Sequence, residues 1–156
     1  DGVNDVYPAN YNSPVQTVIS GTKPAVDSVS DRLKEAGAKR VIPLKVSGPF
    51  HTPLLRNAAE RFAEYLEGVD FHTPQKPLYT NVHGAEVSTG EEVRKNAAAQ
   101  ISSPVRWTEE MAAIDSASYE RCIECGPGKV LTGLWKRTAG ALACIPADNA
   151  SEREKL

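Results

Sequence analysis

One histidine of this 156-residue chain stands where a general base could act. His51 lies in the segment VSGPFHTPLL, residues 46–55, on a predicted bend directly before an amphipathic helix. Thr52 is the expected N-cap of that helix, and Pro53 is its expected first residue. The positive end of the helix dipole disfavours an imidazolium by roughly 0.3 to 1 kcal/mol, which keeps the ring in the neutral form that accepts a proton. Spacing alone leaves open that His51 is a turn residue packed between two prolines.

A second polar residue could orient this histidine. The sequence TGEE at residues 89–92 is a capping box that predicts the start of another helix, and Ser103 and Pro104 end it. Gln100 then falls in the last turn, where carbonyl groups have no partner within the helix. Its carbonyl or amide oxygen could accept a hydrogen bond from the far nitrogen of His51 and fix the tautomer. The alternative is that Gln100 only satisfies its own helix end.

The sequence offers no obvious nucleophile for that base, because it contains no Gly-x-Ser-x-Gly elbow. Cys122 and Cys125 form a C-x-x-C pattern in a predicted strand, where their side chains point to opposite faces about 10 Å apart, too far for a disulfide or one zinc ion. With Cys144 they are predicted to be small core residues in a reducing compartment. The turn GPGK at residues 126–129 lacks the spacing of a phosphate-binding loop. No metal site is predicted.

The composition is typical of a globular domain. With 40% hydrophobic residues, 24% charged residues and a formal net charge of -2, the chain can form a core. This near-neutral balance argues against broad nucleic-acid binding. No apolar run approaches the ~18 residues of a membrane span, and no signal peptide opens the sequence. We therefore expect a cytoplasmic protein that does not enter a membrane.

The periodicity of apolar residues predicts an α/β fold in two parts. Residues 6–45 contain a strand, a turn, a strand at 17–20, a helix at 24–36 ended by Gly37, and a strand at 40–46. This is three-quarters of a ferredoxin-like unit, without its first strand and helix. After His51, helices and strands alternate, which indicates part of a mostly parallel sheet. Its strands are predicted at 77–82, 121–125 and 141–146, and its later helices at 107–117 and 129–138.

Five blocks of the sequence, in order, resemble the malonyl-CoA:acyl carrier protein transacylase family. They are NSPVQTVISG at 12–21, AKR at 38–40, VSGPFHTPLL at 46–55, SPVRW at 103–107 and GPGKVLTGL at 126–134. The resemblance runs nearly end to end. It implies that residues 1–46 are a partial ferredoxin-like small subdomain and that residues 47–148 are the C-terminal part of an α/β-hydrolase-like large subdomain. The charged residues 149–156 are predicted to be a flexible tail.

The resemblance implies an acyltransferase of fatty-acid synthesis. Members of the family use a serine to take the malonyl group from coenzyme A as an ester and pass it to the phosphopantetheine thiol of acyl carrier protein. His51 matches the family's catalytic histidine and Gln100 the residue that orients it, an arrangement that activates a serine hydroxyl. Phe50 matches a bulky residue of malonyl-selective members, and its ring would disfavour an α-methyl branch by about 1 to 3 kcal/mol. Coenzyme A and phosphopantetheine are substrates, so no cofactor is expected.

Four further residues match blocks of the family. Asn12 and Gln16 match residues beside the cleft, where their amides could anchor backbone or substrate, although Asn-Ser-Pro is good turn chemistry and favours a structural role for both. Lys39 and Arg40 match basic residues that are proposed to contact the acidic carrier protein. An ordinary solvated pair of charges is equally open for these two.

The part of the family that carries the serine is not in this sequence. The elbow serine, the arginine that pairs with the malonyl carboxylate and the oxyanion hole belong to an N-terminal half. The sequence therefore predicts a C-terminal portion that is inert alone and that leaves apolar surface for a partner or for self-association. Two alternatives stay open: an acyltransferase-domain fragment of a polyketide synthase, and a nonenzymatic ferredoxin-like binding module.

Overall fold

Helices and strands are mixed along the chain. The computed structural model describes residues 4–138, 142–148 and 151, so the predicted tail at 149–156 lies, apart from residue 151, outside the described residues. The mixed α/β class that the sequence predicts is confirmed. The elements are β1 Val6–Ser13, β2 Gln16–Gly21, α1 Lys23–Glu35, a 3-10 turn Pro53–Leu55, α2 Arg56–Leu66, β3 Leu78–Thr80, β4 Ala85–Val87, α3 Gly90–Ala99, α4 Trp107–Ser116, β5 Cys122–Glu124, α5 Val130–Thr138 and β6 Cys144–Pro146.

The first two strands form an antiparallel hairpin, as predicted. Ser13 pairs with Gln16 across the tight turn, and the Ser13 hydroxyl accepts a hydrogen bond from the Val15 N–H at 3.4 Å. Val105 extends the ladder on the other side of β1, because Tyr11 N–H donates to the Val105 carbonyl and Val105 N–H to the Ala9 carbonyl, both at 2.8 Å. The hairpin is thereby joined to the segment that precedes α4.

Helix α1 begins and ends where the sequence predicts. Gly37 adopts a φ of +97°, and the Ala38 N–H donates to the Leu33 carbonyl at 2.9 Å while the Gly37 N–H donates to the Lys34 carbonyl at 3.0 Å. This is the Schellman arrangement that a glycine at the C′ position permits. Leu33, an apolar residue of this helix, is only half-buried, and no residue of α1 is fully buried among those described.

Residues 40–46 do not form the predicted strand. Ile42, Leu44 and Val46 are 66%, 59% and 65% exposed, and no backbone hydrogen bond involves this segment within the described part of the chain. The alternating apolar pattern is that of a strand, but a strand is stable only when a neighbour pairs with its N–H and C=O groups. The prediction was therefore wrong about the state of these residues in this chain.

The predicted mostly parallel sheet is also wrong for the described residues, which form three two-stranded ladders. Strands β3 and β4 are antiparallel because residues 81–84 turn the chain back, with Gly84 at a φ of +61°. A Cβ at Gly84 would lie 2.5 Å from the Glu109 Cβ, so only glycine fits there. The sequence analysis missed β4. Strands β5 and β6 pair in parallel, with Cys122 opposite Cys144.

A small core lies among the helices and the strands. α2 packs against α3, α4 packs against β1, β3, β4 and α5, and α5 packs against β6. The Trp135 indole N–H donates to the Leu142 carbonyl at 2.6 Å, which satisfies the polar atom of a buried ring. The domain boundary at residue 46 stays a prediction. The buried apolar residues are Ala9, Ala59, Leu66, Val87, Met111 and Trp135.

Among the described residues, none of the helices has the length and apolar character needed to traverse a bilayer.

Candidate active site

His51 lies in a tight turn, residues 49–52, with an unusual backbone conformation. Its φ is +60°, in the left-handed region where a residue with a Cβ is strained, although histidine is found there more often than most residues. Its N–H donates to the Ile101 carbonyl at 3.2 Å, and its side chain is half-buried. The turn therefore holds His51 against the segment that follows α3.

The His51 ring contacts Gln100 through one nitrogen. Nδ1 lies 3.0 Å from the Gln100 backbone carbonyl oxygen, the contact that the helix-end argument predicts. A carbonyl can only accept, so Nδ1 carries the proton and Nε2 keeps the lone pair. The Gln100 amide nitrogen is 3.3 Å from the same Nδ1, and the shorter contact to the carbonyl decides the tautomer. Within the described residues no hydrogen bond involves Nε2, so it is available as a base.

The helix after His51 starts later than predicted. A 3-10 turn, Pro53–Leu55, comes first, and α2 begins only at Arg56. Thr52 occupies the N-cap position of this turn, but its hydroxyl makes no cap hydrogen bond and donates instead to the Pro49 carbonyl at 2.7 Å. The α-helical terminus that the sequence placed beside the imidazole is therefore one turn away from it.

The position of Gln100 follows from the capping of α3. The predicted capping box is confirmed, because the Glu92 N–H donates to the Thr89 hydroxyl at 3.1 Å and the Thr89 N–H donates to the Glu92 carboxylate at 3.0 Å. Hydrogen bonds from the backbone of Ser88 and Thr89 hold the pKa of the Glu92 carboxyl below its usual range. Since its first turn is fixed in this way, α3 brings the carbonyl of its C-cap residue, Gln100, to the histidine.

Phe50 precedes His51 and is 49% exposed. A Cβ at Gly48 would lie 3.7 Å from the Phe50 ring, so the ring folds back over the turn. The ring stands next to the imidazole in the chain and remains open to solvent on one side. Its predicted role in substrate selection stays a prediction.

Asn12 and Gln16 contact α5 rather than the histidine. The Arg137 guanidinium donates to the Gln16 side-chain oxygen at 2.9 Å, and the Thr138 hydroxyl donates to the Asn12 backbone carbonyl at 3.4 Å. Within the described residues no hydrogen bond joins either residue to His51. These contacts support the structural role that turn chemistry favours, and the sequence analysis missed Arg137 as the partner.

Lys39 and Arg40 are exposed, and no ion pair involves them in the part of the chain that the structure describes. They follow the C-terminal end of α1, and Arg40 is the first of the unpaired residues 40–46. The predicted contact with a carrier protein stays a prediction.

The three cysteines do not supply a second site. Cys125 is exposed, which corrects the expectation of a core position, whereas Cys122 and Cys144 are half-buried. Burial raises the pKa of the Cys122 thiol to about 12, and the neighbouring Cys144 adds to the effect, so Cys122 is a poor nucleophile. In the described part of the chain, no cluster of three or more histidine, cysteine, aspartate or glutamate side chains could hold a metal ion.

The glycine turn after β5 leads to a helix whose first N–H groups are already occupied. Glu124 accepts hydrogen bonds from the Leu131 N–H at 2.9 Å, the Thr132 N–H at 2.7 Å and the Thr132 hydroxyl at 2.6 Å. Burial acts to raise the pKa of Glu124, but these hydrogen bonds outweigh it and hold the pKa below its usual range. The carboxylate fills the place where a phosphate would bind, in agreement with the absence of a phosphate-loop motif.

Comparison with known proteins identifies the family of this chain. The family model described as "Acyl transferase domain" matches residues 2–152. The chain belongs to the acyl transferase domain family.

Relatives of this acyl transferase domain share one description. It is 42% identical to the malonyl CoA-acyl carrier protein transacylase of Haemophilus influenzae over 94% of this chain and 47% of that protein. The protein of that description from Bacillus subtilis is 41% identical over 91% of this chain and 45% of the relative. The chain therefore spans about half the length of the curated relatives it matches.

Solved structures give the same result for the fold of this acyl transferase domain. The acyl carrier protein S-malonyltransferase of Vibrio cholerae superimposes with a TM-score of 0.93 at 40% identity, over 97% of this chain and 49% of that one. A complex described as a type II PKS acyl-carrier protein with its malonyl-transacylase matches with a TM-score of 0.91 at 43% identity, again over 97% of this chain and 49% of the other.

Proposed function

We propose that this chain is the base-carrying half of a malonyl-CoA:acyl carrier protein S-malonyltransferase of fatty-acid synthesis. The observation that carries the proposal is the 3.0 Å contact between His51 Nδ1 and the Gln100 carbonyl, which leaves Nε2 as a proton acceptor. The identity to transacylases supplies the substrate class. A serine, brought by the remaining half of the enzyme, completes the site.

The chemistry divides into two transfers. Nε2 of His51 removes the proton of the serine hydroxyl as its oxygen attacks the thioester carbonyl, and the imidazolium returns that proton to the departing thiolate of coenzyme A. In the second transfer Nε2 takes the proton of the phosphopantetheine thiol, whose sulfur attacks the ester, and then protonates the released serine. Throughout, Nδ1–H donates to the Gln100 carbonyl, which keeps the ring in one orientation and favours the charged intermediate.

The finer fold proposal concerns residues 1–46. The β1–β2 hairpin followed by α1 supports a partial ferredoxin-like subdomain, with residues 40–46 as its last strand. In that unit the last strand pairs with the first, and among the described residues no strand lies beside residues 40–46. We propose that the remaining half supplies the first strand, that the part after residue 46 belongs to an α/β-hydrolase-like subdomain, and that the enzyme works in the cytoplasm.

The test is reconstitution. The chain would be co-expressed with the serine-bearing half of a close relative, and malonyl transfer from malonyl-CoA to acyl carrier protein would be measured by mass spectrometry. We expect H51A to lower the rate about 10²- to 10⁴-fold, the usual contribution of a general base. H72A and H83A are matched controls because both histidines are exposed and lie outside the turn. Equal rates for H51A and these controls would contradict the proposal.

Lys39 and Arg40 are proposed to contact the carrier protein. Reversing both charges should weaken binding of acyl carrier protein at low salt while leaving hydrolysis of malonyl-CoA unchanged, because exposed charges act mainly on association. The double reversal K23E/K34E on α1 is the control, since those lysines are also exposed and lie on the preceding helix, where they pair with Asp27 and Asp31. If both double variants bind equally well, the contact is disproved.

A second candidate differs only in the carrier protein. One similar transacylase was solved with a type II PKS acyl-carrier protein, and this chain is 43% identical to it. The reconstituted enzyme would be offered a fatty-acid carrier and a polyketide carrier side by side. A clear kcat/KM preference for the polyketide carrier would favour this second candidate over the first.

A further inference from the structure

A hydroxyl next to the candidate base is fully enclosed. Thr52 is 0% exposed, and its Oγ1 donates to the Pro49 carbonyl at 2.7 Å. The hydroxyl thus closes the four-residue turn that contains His51. A surface turn would not need this bond, because water could satisfy the Pro49 carbonyl equally well.

The hydrogen bond of the Thr52 hydroxyl holds a strained backbone conformation at His51. The left-handed region is strained for a residue with a Cβ, and such strain persists only where the surroundings fix it. On the far side of His51 the fixing contacts are to the Ile101 and Gln100 carbonyls. On the near side the closing contact is the Thr52 hydroxyl. Release of the turn would let φ return to a negative value and swing the Cα–Cβ bond away from Gln100.

We propose that Thr52 is a positioning residue: its buried hydroxyl holds the strained turn at His51 and thereby keeps Nδ1–H on the Gln100 carbonyl. Thr52 acts through the backbone and has no contact with the reacting atoms in this proposal. The effect of Thr52 on the orientation and tautomer of the His51 ring depends only on the turn. Its effect on the rate of transfer rests on the proposed function.

Two substitutions separate the hydroxyl from the rest of the side chain. T52V keeps the shape and removes the donor, whereas T52S keeps the donor and removes a methyl group. T138V is the matched control, because the Thr138 hydroxyl also donates to backbone carbonyls, shared between Leu134 at 2.9 Å and Asn12 at 3.4 Å, and lies outside the turn. T52A is the second donor-free variant in case the valine packs badly.

The first readout is the tautomer of His51, followed by ¹⁵N–¹H correlation of its ring in the chain. We expect the parent chain, T52S and T138V to show the Nδ1–H form, and T52V and T52A to show a mixture with the Nε2–H form. Circular dichroism and the unfolding midpoint report whether each variant is folded. If folded T52V or T52A keeps the pure Nδ1–H form, or if T52S loses it, the proposal is overturned.

The second readout is the rate of malonyl transfer by the enzyme reconstituted with its serine-bearing half. This rate tests the proposal if the NMR spectrum shows that the chain alone is not folded. We expect kcat of T52V to fall about 10- to 100-fold, as for a modest misplacement of a catalytic group, with KM for malonyl-CoA unchanged and T52S near the parent value. Equal kcat for T52V and T138V would refute the role of Thr52. Loss of the tautomer in T52V together with an inactive parent enzyme would refute the proposed function alone.

Discussion

At the scale of single residues, the candidate site depends on a backbone atom of Gln100 rather than on its side chain. The carbonyl oxygen accepts from Nδ1 at 3.0 Å, and a carbonyl is present whatever side chain stands at position 100. Position 100 is therefore important because α3 ends there and leaves the backbone carbonyl free to bind His51.

We predict that Q100A keeps most of the transfer activity of the reconstituted enzyme, within about tenfold, because general-base catalysis by His51 survives while its orienting carbonyl remains. H51A, in contrast, should lose at least a hundredfold. Initial rates with malonyl-CoA and acyl carrier protein measure both variants. A loss for Q100A as large as that for H51A would show that the amide side chain is the orienting group.

Glu110 lowers the free energy of unfolding at neutral pH. It is buried in α4, burial raises the pKa of its carboxyl, and its Oε2 has no hydrogen-bond partner among the described residues. A carboxyl whose pKa is raised on folding favours the folded state below its unfolded pKa, near 4.3, and destabilises it as the pH rises through the folded value.

We predict that E110Q raises the thermal midpoint by about 2 to 4 °C at pH 7.5, a shift equivalent to about 1 kcal/mol for a chain of this size. The gain should shrink towards pH 4, where the parent carboxyl is itself protonated. Differential scanning calorimetry at both pH values tests this. E109Q is the control, because Glu109 is exposed and paired with Arg106. A gain that is independent of pH would mean that charge burial is not the cause.

At the scale of elements, the capping of α5 links β5 to the helix. Glu124 is 8% exposed and accepts three hydrogen bonds from the first turn of α5. Because its pKa is lowered in the folded state, its contribution to stability is complete above the unfolded pKa and is lost as the pH falls through the folded value.

We predict that E124Q destabilises the chain by about 1 to 3 kcal/mol at neutral pH, since hydrogen bonds to a charged acceptor are lost from buried donors. The difference from the parent chain should decrease below about pH 4, as the parent carboxylate is protonated. Urea unfolding at pH 7 and pH 3.5 measures the two free energies. A difference that stays constant between these pH values would be evidence against an ionised cap.

The elements that the sequence predicts well are those with local end signals. Gly37 ends α1 and Thr89 begins α3 through bonds between residues at most five apart, which a pattern of neighbours can reveal. The pairing of Cys122 with Cys144 depends on partners distant in the sequence. Strand β4 forms a local hairpin with β3, but its three residues are too few to show an alternating pattern. The 3-10 turn after Thr52 was missed because its hydroxyl binds backwards to Pro49, a choice that helix-cap preferences do not describe.

At the scale of the whole molecule, the described chain has open sheet edges in place of one continuous sheet. It spans about half the length of its curated relatives. The three ladders are two strands wide, a size that is marginal by itself. The predicted mostly parallel sheet and the strand at 40–46 are absent from the described residues, where no neighbouring strand pairs with residues 40–46.

We predict that residues 40–46 become a strand when the serine-bearing half is present. The amide hydrogens of this segment, which Pro43 lacks, should exchange freely in the chain alone and at least 100-fold more slowly in the reconstituted enzyme, since ladder bonds protect them. Hydrogen exchange with mass spectrometry measures both states, and the amide of Val15, which is 87% exposed, serves as an internal reference. Equal exchange in the two states would argue that this segment stays outside the sheet.

The bare apolar row of Ile42, Leu44 and Val46 has a consequence for the chain kept by itself. An unpaired segment with solvent-facing branched side chains is an edge on which identical molecules can pair. Pro43 lies within this segment and, having no N–H, limits such pairing. The neighbouring Lys39, Arg40 and Lys45 oppose this pairing by mutual repulsion, a protection that weakens as salt is added. The solubility of the isolated chain should thus fall as the ionic strength rises. Turbidity in concentrated salt would be the first sign of association through the unpaired segment.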